Sequence, residues 1–273
     1  MLIVPPPELF HYTDAVGLLQ IVEERTIAAP DVRFLGADPD QPATRRALGA
    51  ELRALASSDL RGLPSGDLIP EGLQLLEHGL GAYRSYAVSL AEDGDLVSEW
   101  WRFGRGQAFA VAFDGHDLEQ RCHEDVGGVT PRLGAMLHVL EDVAAALEEG
   151  MQPLLRPDAP TDHEARRDVW AQVLSSLLAR FDRGGARSQH LWRWCCTGVP
   201  AGAAPVEFRA TTAGLAPVVR LPLRAVRVLR VVVGPSPHAE RQAAAVRDLL
   251  QHRGLGDVAV LVSHHAPVAE GAP

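Results

Sequence analysis

Strand-forming sequence sits at both ends of this chain, and helical periodicity fills the space between. Beyond residue 203 the runs "APVEFRATT", "LAPVVRLPL", "VRVLRVVVGP" and "VAVLVS" are rich in β-branched residues. They are separated by Gly/Pro turns and one helical stretch, "HAERQAAAVRDLLQHRG". Residues 8–13, 86–90 and 108–113 have the same character near the start. A strand leaves backbone groups unpaired until it joins a sheet, so early and late strands are expected to meet across long sequence separations. The expectation is an α+β fold with a mixed or split antiparallel sheet, in one domain over 1–273 with a helical insertion at about 117–194.

Between these strands the apolar spacing changes period. In "ELFHYTDAVGLLQIVEE" a strand over 8–13 hands over to a helix carrying Leu18, Leu19, Ile21 and Val22, with Asp14 placed to cap it. Residues 30–43, rich in Pro and Asp, read as a loop. Helices are expected over "ATRRALGAELRALASSDL" and near 71–80. "EDGD" marks a turn, and residues 96–103 read as a short helix or wide turn. Further helices are expected over 117–123, over 132–150 with Leu133, Met136, Leu137, Leu140 and Val143 on one face, and over "HEARRDVWAQVLSSLLARFDR" as an amphipathic helix.

Composition removes some chemistries. All 26 basic residues are arginine, so neither a Schiff-base lysine nor a phosphate-loop lysine is available. A formal charge of −9 argues against coating nucleic acid by electrostatics alone. The start "MLIVPPPELF" lacks the basic flank of a signal peptide and no run is apolar enough to span a bilayer, so the cytoplasm is the expected compartment, with no membrane partner. Cys122, Cys195, Cys196, His264 and His265 lack the spacing by which metal ligands converge, and buried, apolar behaviour is expected of the cysteines. No G-x-S-x-G elbow is present, and "GRGQAF" lacks the dinucleotide-loop spacing.

What remains is a set of polar residues on strands. His11 and Thr13 project to one face of the first strand and Tyr12 to the other. Tyr86 and Ser89 lie on a second strand, Trp100 and Trp101 follow a turn, and Glu207 and Arg209 share one face of a late strand with Phe208 opposite. A carboxylate within β-rich sequence is either paired or functional, and the spacing points to Arg209 as the partner of Glu207. Core packing is the ordinary role for the tryptophans, with at most one lining a cleft.

The order of these segments resembles a bacterial family catalogued as a domain of unknown function. That family opens with "l-x-H-Y-T" and a helix ending in an "l-x-a-s/a" turn, and continues with "SLS", "W-x-x-Y…G-x-x-i-x-F-d", "E-W-R", "i-v-v-G-p" and "v-x-x-S". The corresponding stretches are "LFHYTDAVGLLQIVEERTIAAP", "VSLAEDGDLVSEWWRFGRGQAFAVAFD", "VEFRAT", "VLRVVVGPSPHAERQ" and "VLVSHHAPV". Phe103 stands where the family has Tyr, and the first acid of its "E-x-E-W-R" strand is replaced in "PVEFR".

The opening is also similar to that of DNA-targeting ADP-ribosyltransferase toxins and NAD-using RNA phosphotransferases. The resemblance implies an ADP-ribosyltransferase-like sheet and NAD as co-substrate. His11 would hold the adenosine-side ribose and Glu207 would be the catalytic carboxylate. Tyr12, Thr13, Tyr86, Ser89, Trp100 and Arg209 would contribute to cofactor binding, with the nicotinamide-stacking role open among Tyr12, Tyr86 and Trp100. Arg102, Arg105 or Arg209 would meet the pyrophosphate. The implied function is transfer of ADP-ribose to a protein, nucleic acid or small molecule, as a bacterial toxin or phage-defence effector with a neutralising partner. The alternatives are a non-catalytic nucleotide-sensing or protein-interaction module and an NAD glycohydrolase.

Overall fold

A computed structural model describes residues 4–35, 42–57, 68–78, 80, 83–103, 108–122, 130–138, 140–156, 158–181, 191–200, 202, 206–211 and 214–265. In chain order the elements are β1 (Glu8–Thr13), α1 (Ala15–Leu19), a π-helical turn (Gln20–Glu24), β2 (Thr26–Pro30), a 3-10 turn (Val32–Phe34), α2 (Pro42–Ser57), α3 (Leu68–His78) and β3 (Tyr83–Ala91). There follow α4 (Val97–Phe103), β4 (Phe109–Asp114), α5 (Gly115–Arg121), β5 (Arg132–Ala135), α6 (Leu140–Leu155) and α7 (His163–Arg180). The chain then forms β6 (Leu191–Pro200), β7 (Val206–Thr211), β8 (Gly214–Pro222), β9 (Val228–Val233), α8 (Ala239–His252) and β10 (Ala259–Val262).

The fold is α+β. A mixed seven-stranded sheet has the order β10-β9-β4-β1-β3-β6-β5, and a separate antiparallel sheet has the order β2-β8-β7. Among the described strands only β9 and β10 pair in parallel, joined through α8. The first strand is central: β1 lies between β4, with His11 opposite Val111, and β3, with Phe10 opposite Ala91. Early and late strands meet as expected, since β9 pairs with β4 and β8 with β2.

Alternation along β1 divides the core. Leu9 faces the largest apolar cluster with Val88, Leu90, Val111, Phe113 and Val231, and there the large sheet meets Ile27, Ala29, Val219 and Leu221 of the small one. Phe10 and Tyr12 point the other way, into a smaller cluster with Trp100, Ala110 and Ala112. A third cluster belongs to α2, α3, α6 and α7, centred on Leu48, Leu147, Met151 and the fully buried Trp170.

Several local expectations change. The helix expected over 132–150 is a strand followed by a helix: residues 132–135 pair with β6, Leu133 opposite Trp194, and α6 begins only at Leu140. Gly134 lets this edge strand lie against Arg180, whose Nη1 would be 2.3 Å from an added Cβ. Residues 117–194 therefore supply β5 and the start of β6 as well as helices. The stretch 30–43 is not all loop, because Val32–Phe34 forms a 3-10 turn; residues 36–41 lie outside the described residues. The helix at 163–180 is not amphipathic along its length: its first turns are polar, and its second half is buried on several sides through Trp170, Leu174, Leu177, Leu178 and Ala179. All three cysteines are buried, as expected of small apolar residues. Among the described residues no helix is long and apolar enough to cross a membrane.

Candidate functional site

The candidate site begins at the end of β1. Asp14 leaves the strand in extended conformation and caps α1, its Oδ1 accepting from the Gly17 amide at 2.7 Å. Thr13 is buried beneath that turn: a Cβ at residue 17 would lie 1.9 Å from its Oγ1, so glycine is what lets helix and strand close together. The helix then widens into the π turn and stops at Arg25, which has φ +53° and whose guanidinium donates to the Leu223 and Val226 carbonyls at 3.0 and 2.6 Å.

His11 is half-buried, and its Nδ1 lies 3.0 Å from the Ser89 carbonyl. A carbonyl only accepts, so Nδ1 carries the hydrogen and Nε2 is left as an acceptor. Burial lowers the His11 pKa to about 4, against the opposing pull of the Ser89 bond. Arg209 pushes it down further and Asp14 pulls it up, which places both charges around the ring. At neutral pH the imidazole is therefore an uncharged acceptor.

The late strand β7 supplies the facing charges. Arg209 reaches across to α1 and the π turn, its Nη2 3.4 Å from Asp14 Oδ1 and its Nη1 3.5 Å from Gln20 Oε1. Both contacts are long, so they locate the guanidinium without holding it tightly. Glu207 lies on the same face of β7 but does not pair with Arg209. Its Oε2 accepts from Arg220 Nε at 2.7 Å, because Arg220 lies diagonally across on β8 while Arg209 is drawn toward Asp14. Arg220 also bonds Glu24 at the end of the π turn. Asp14, Arg209, Glu207, Arg220 and Glu24 thus alternate in charge along the seam between the first helical turns and the small sheet. His11 stands at the Asp14 end.

The other sequence-selected residues separate from this seam. Tyr12 and Trp100 pack edge to face at 4.7 Å on the opposite face of the large sheet. The Tyr12 hydroxyl donates to the Asp93 carbonyl and accepts from the Leu96 amide, and Trp100 Nε1 donates to Asp95, so their polar atoms are engaged there. Ser89 shares the parity of Ala87 and Ala91, which turns its side chain away from His11; only its carbonyl meets the ring. Tyr86 shares the face of His11 but is buried in the main cluster. The Arg102 and Phe103 side chains and all of Arg105 lie outside the described residues.

Three partners escaped the sequence reading: Arg220, Glu24 and the second role of Asp14. Arg220 carried a signal of the same kind as Glu207, a charge inside an apolar strand, in "VVRLPL". A shallow concavity lies elsewhere, between Asp31, Arg33, Tyr83, Arg84, Ser85 and Ser175, and includes neither His11 nor Glu207. Comparison with known proteins finds no family model matching the sequence, no significantly similar curated protein and no significantly similar solved structure.

Proposed function

We propose that the protein is an NAD-dependent ADP-ribosyltransferase of the α+β, ADP-ribosyltransferase-like type, with the charged seam between the first helical turns and the small sheet as its NAD site. The observation that carries this reading is the approach of the late strand to the end of the first: Arg209, two residues beyond Glu207 on β7, reaches Asp14 at 3.4 Å, and Asp14 directly follows the strand that carries His11. The division of the strands into a mixed sheet and a separate three-stranded sheet supports it too.

The residue types suit the chemistry. His11 Nε2, an acceptor fixed by the Nδ1 bond to Ser89, takes a ribose hydroxyl. Arg209 and Arg220 offer forked donors for the pyrophosphate in a chain without lysine. Breaking the bond between ribose C1′ and nicotinamide builds an oxocarbenium-like cation, which the Glu207 carboxylate stabilises most in the transition state. The acceptor then bonds to C1′ and gives its proton to Glu207, while nicotinamide leaves. Phosphate competing for Arg220 releases the carboxylate from its resting ion pair. A bacterial toxin or phage-defence role with a neutralising partner is the setting this chemistry suits.

One observation favours a second reading, a non-catalytic nucleotide-sensing module: Glu207 is about half exposed and already paired with Arg220. The two part on nicotinamide release. Incubation with NAD and candidate acceptors releases nicotinamide if the first holds, and His11→Ala weakens NAD binding under either; NAD binding without release selects the second.

A further inference from the structure

The small sheet ends in β7, whose outer edge no described strand covers. Phe208, at 67 % exposure, and Leu215, at 63 %, are the most exposed large apolar side chains within any described strand, and both belong to the β7–β8 hairpin. Exposed edges of this kind are usually blunted by proline, by a bulge or by inward-pointing charge. No proline and no register shift interrupts Val206–Thr211, and its two charges, Glu207 and Arg209, are of opposite sign.

The direction of the free hydrogen-bonding groups follows from two prolines. Phe208 stands opposite Pro217, which has no N–H and whose carbonyl accepts from the Asp31 amide at 2.9 Å on the β2 side. Pro30 likewise stands opposite Val218, so Val218 bonds toward β7 and not toward β2. By alternation, Glu207 and Arg209 spend their backbone groups on β8, whereas Val206, Phe208 and Ala210 turn theirs to the open edge.

We propose that β7 pairs antiparallel with β7 of a second copy about a two-fold axis through Phe208, making one six-stranded sheet from two three-stranded ones. In that register Phe208 meets Phe208 of the partner subunit as a hydrogen-bonded pair, and Val206 meets the partner subunit's Ala210. Glu207 then stands opposite Arg209 of the partner subunit, and Arg209 opposite the partner subunit's Glu207, in the non-hydrogen-bonded positions where side chains approach most closely. Moving the axis to Glu207 would set two carboxylates face to face, and moving it to Arg209 two guanidiniums, so charge selects the register. The intrachain bonds leave room for these pairs: Arg220 engages Glu207 through Oε2, and the Asp14 and Gln20 contacts of Arg209 are long. Each candidate site would then border an arginine of the other copy.

Mixing charge variants in an analytical ultracentrifuge tests this. The wild-type protein sediments as a dimer, and E207R and R209E, each folded by circular dichroism, sediment as monomers because each sets like charges opposite one another. An equal mixture of the two recovers the dimer mass, since both cross-strand pairs become opposite in sign. Amide exchange on the unmodified protein adds a readout that needs no variant: Val206, Phe208 and Ala210 slow at least tenfold as concentration rises. A wild-type monomer up to about 100 μM, beyond the range of a specific interface, overturns the proposal. So does a mixture that stays monomeric, or exchange at these amides that is independent of concentration, as when the edge serves a different protein or none.

Discussion

Replacing His11 by Gln keeps an N–H for the Ser89 carbonyl and removes the titrating ring at the Asp14 end of the seam, so the variant isolates what protonation of that ring costs. The folded-state pKa of about 4 lies below the ordinary 6.5 because the ring is buried. Above pH 6.5 neither the folded nor the unfolded state binds the proton, and the His11 contribution is fully present. As pH falls below 6.5 the unfolded state takes up a proton that the folded state refuses, so stability is lost until pH reaches the folded value near 4. Linkage gives a loss of about 2 kcal/mol at pH 5 and about 3 kcal/mol at pH 4, relative to pH 7. Urea denaturation of both proteins at pH 7, 5 and 4 reads this directly, because every other titrating group cancels in the difference. The wild type should lose these amounts relative to His11→Gln. A difference that stays constant with pH would refute the burial argument. Nuclear magnetic resonance titration adds a check on the neighbours: Arg209→Gln raises the His11 pKa and Asp14→Asn lowers it.

Asp95→Ala removes the acceptor shared by Trp100 Nε1 at 2.7 Å, Ser263 Oγ at 2.5 Å and the His264 amide at 3.1 Å. It should cost about 2–4 kcal/mol in chemical denaturation, with a shifted Trp emission; a change under about 0.5 kcal/mol would show that water replaces those bonds freely. Gly115→Ala places a Cβ 1.9 Å from the Pro6 carbonyl oxygen, and the displaced backbone should cost about 1–3 kcal/mol in the same assay. Burial raises the thiols of Cys122, Cys195 and Cys196 to about 12, 11 and 12, so a thiol-disulfide reagent at neutral pH should label none in the native protein and all 3 after denaturation.

The first strand was legible from its boundaries more than from its period: residues 8–13 bury Leu9 and Phe10 on opposite faces, and Asp14 announces the helix that follows by its capping position. Residues 132–135 were not legible: Leu133, Met136, Leu137, Leu140 and Val143 fit a helical stripe, and only pairing with β6 makes the first four residues of that stretch a strand. The strand at 26–30 was hidden as well, since "TIAAP" is too short to declare a period and is fixed by its partner β8. At the site, the same-face rule put Glu207 and Arg209 together correctly but misassigned the ion pair. The true partner, Arg220, comes from the neighbouring strand, and no spacing along one strand encodes a cross-strand diagonal. The same rule predicted that Tyr12 leaves the face of His11, yet only the packed structure shows that Trp100 follows it to the other side.

Parallel titrations of NAD into the wild-type protein and Glu207→Gln, with nicotinamide release followed in the same samples, test the central claim most directly. If Glu207 acts on the transition state, both proteins bind NAD with dissociation constants within about threefold of each other, and release by the variant falls by about 100-fold or more. Equal release by the two proteins, or no NAD binding by the wild type, would contradict it.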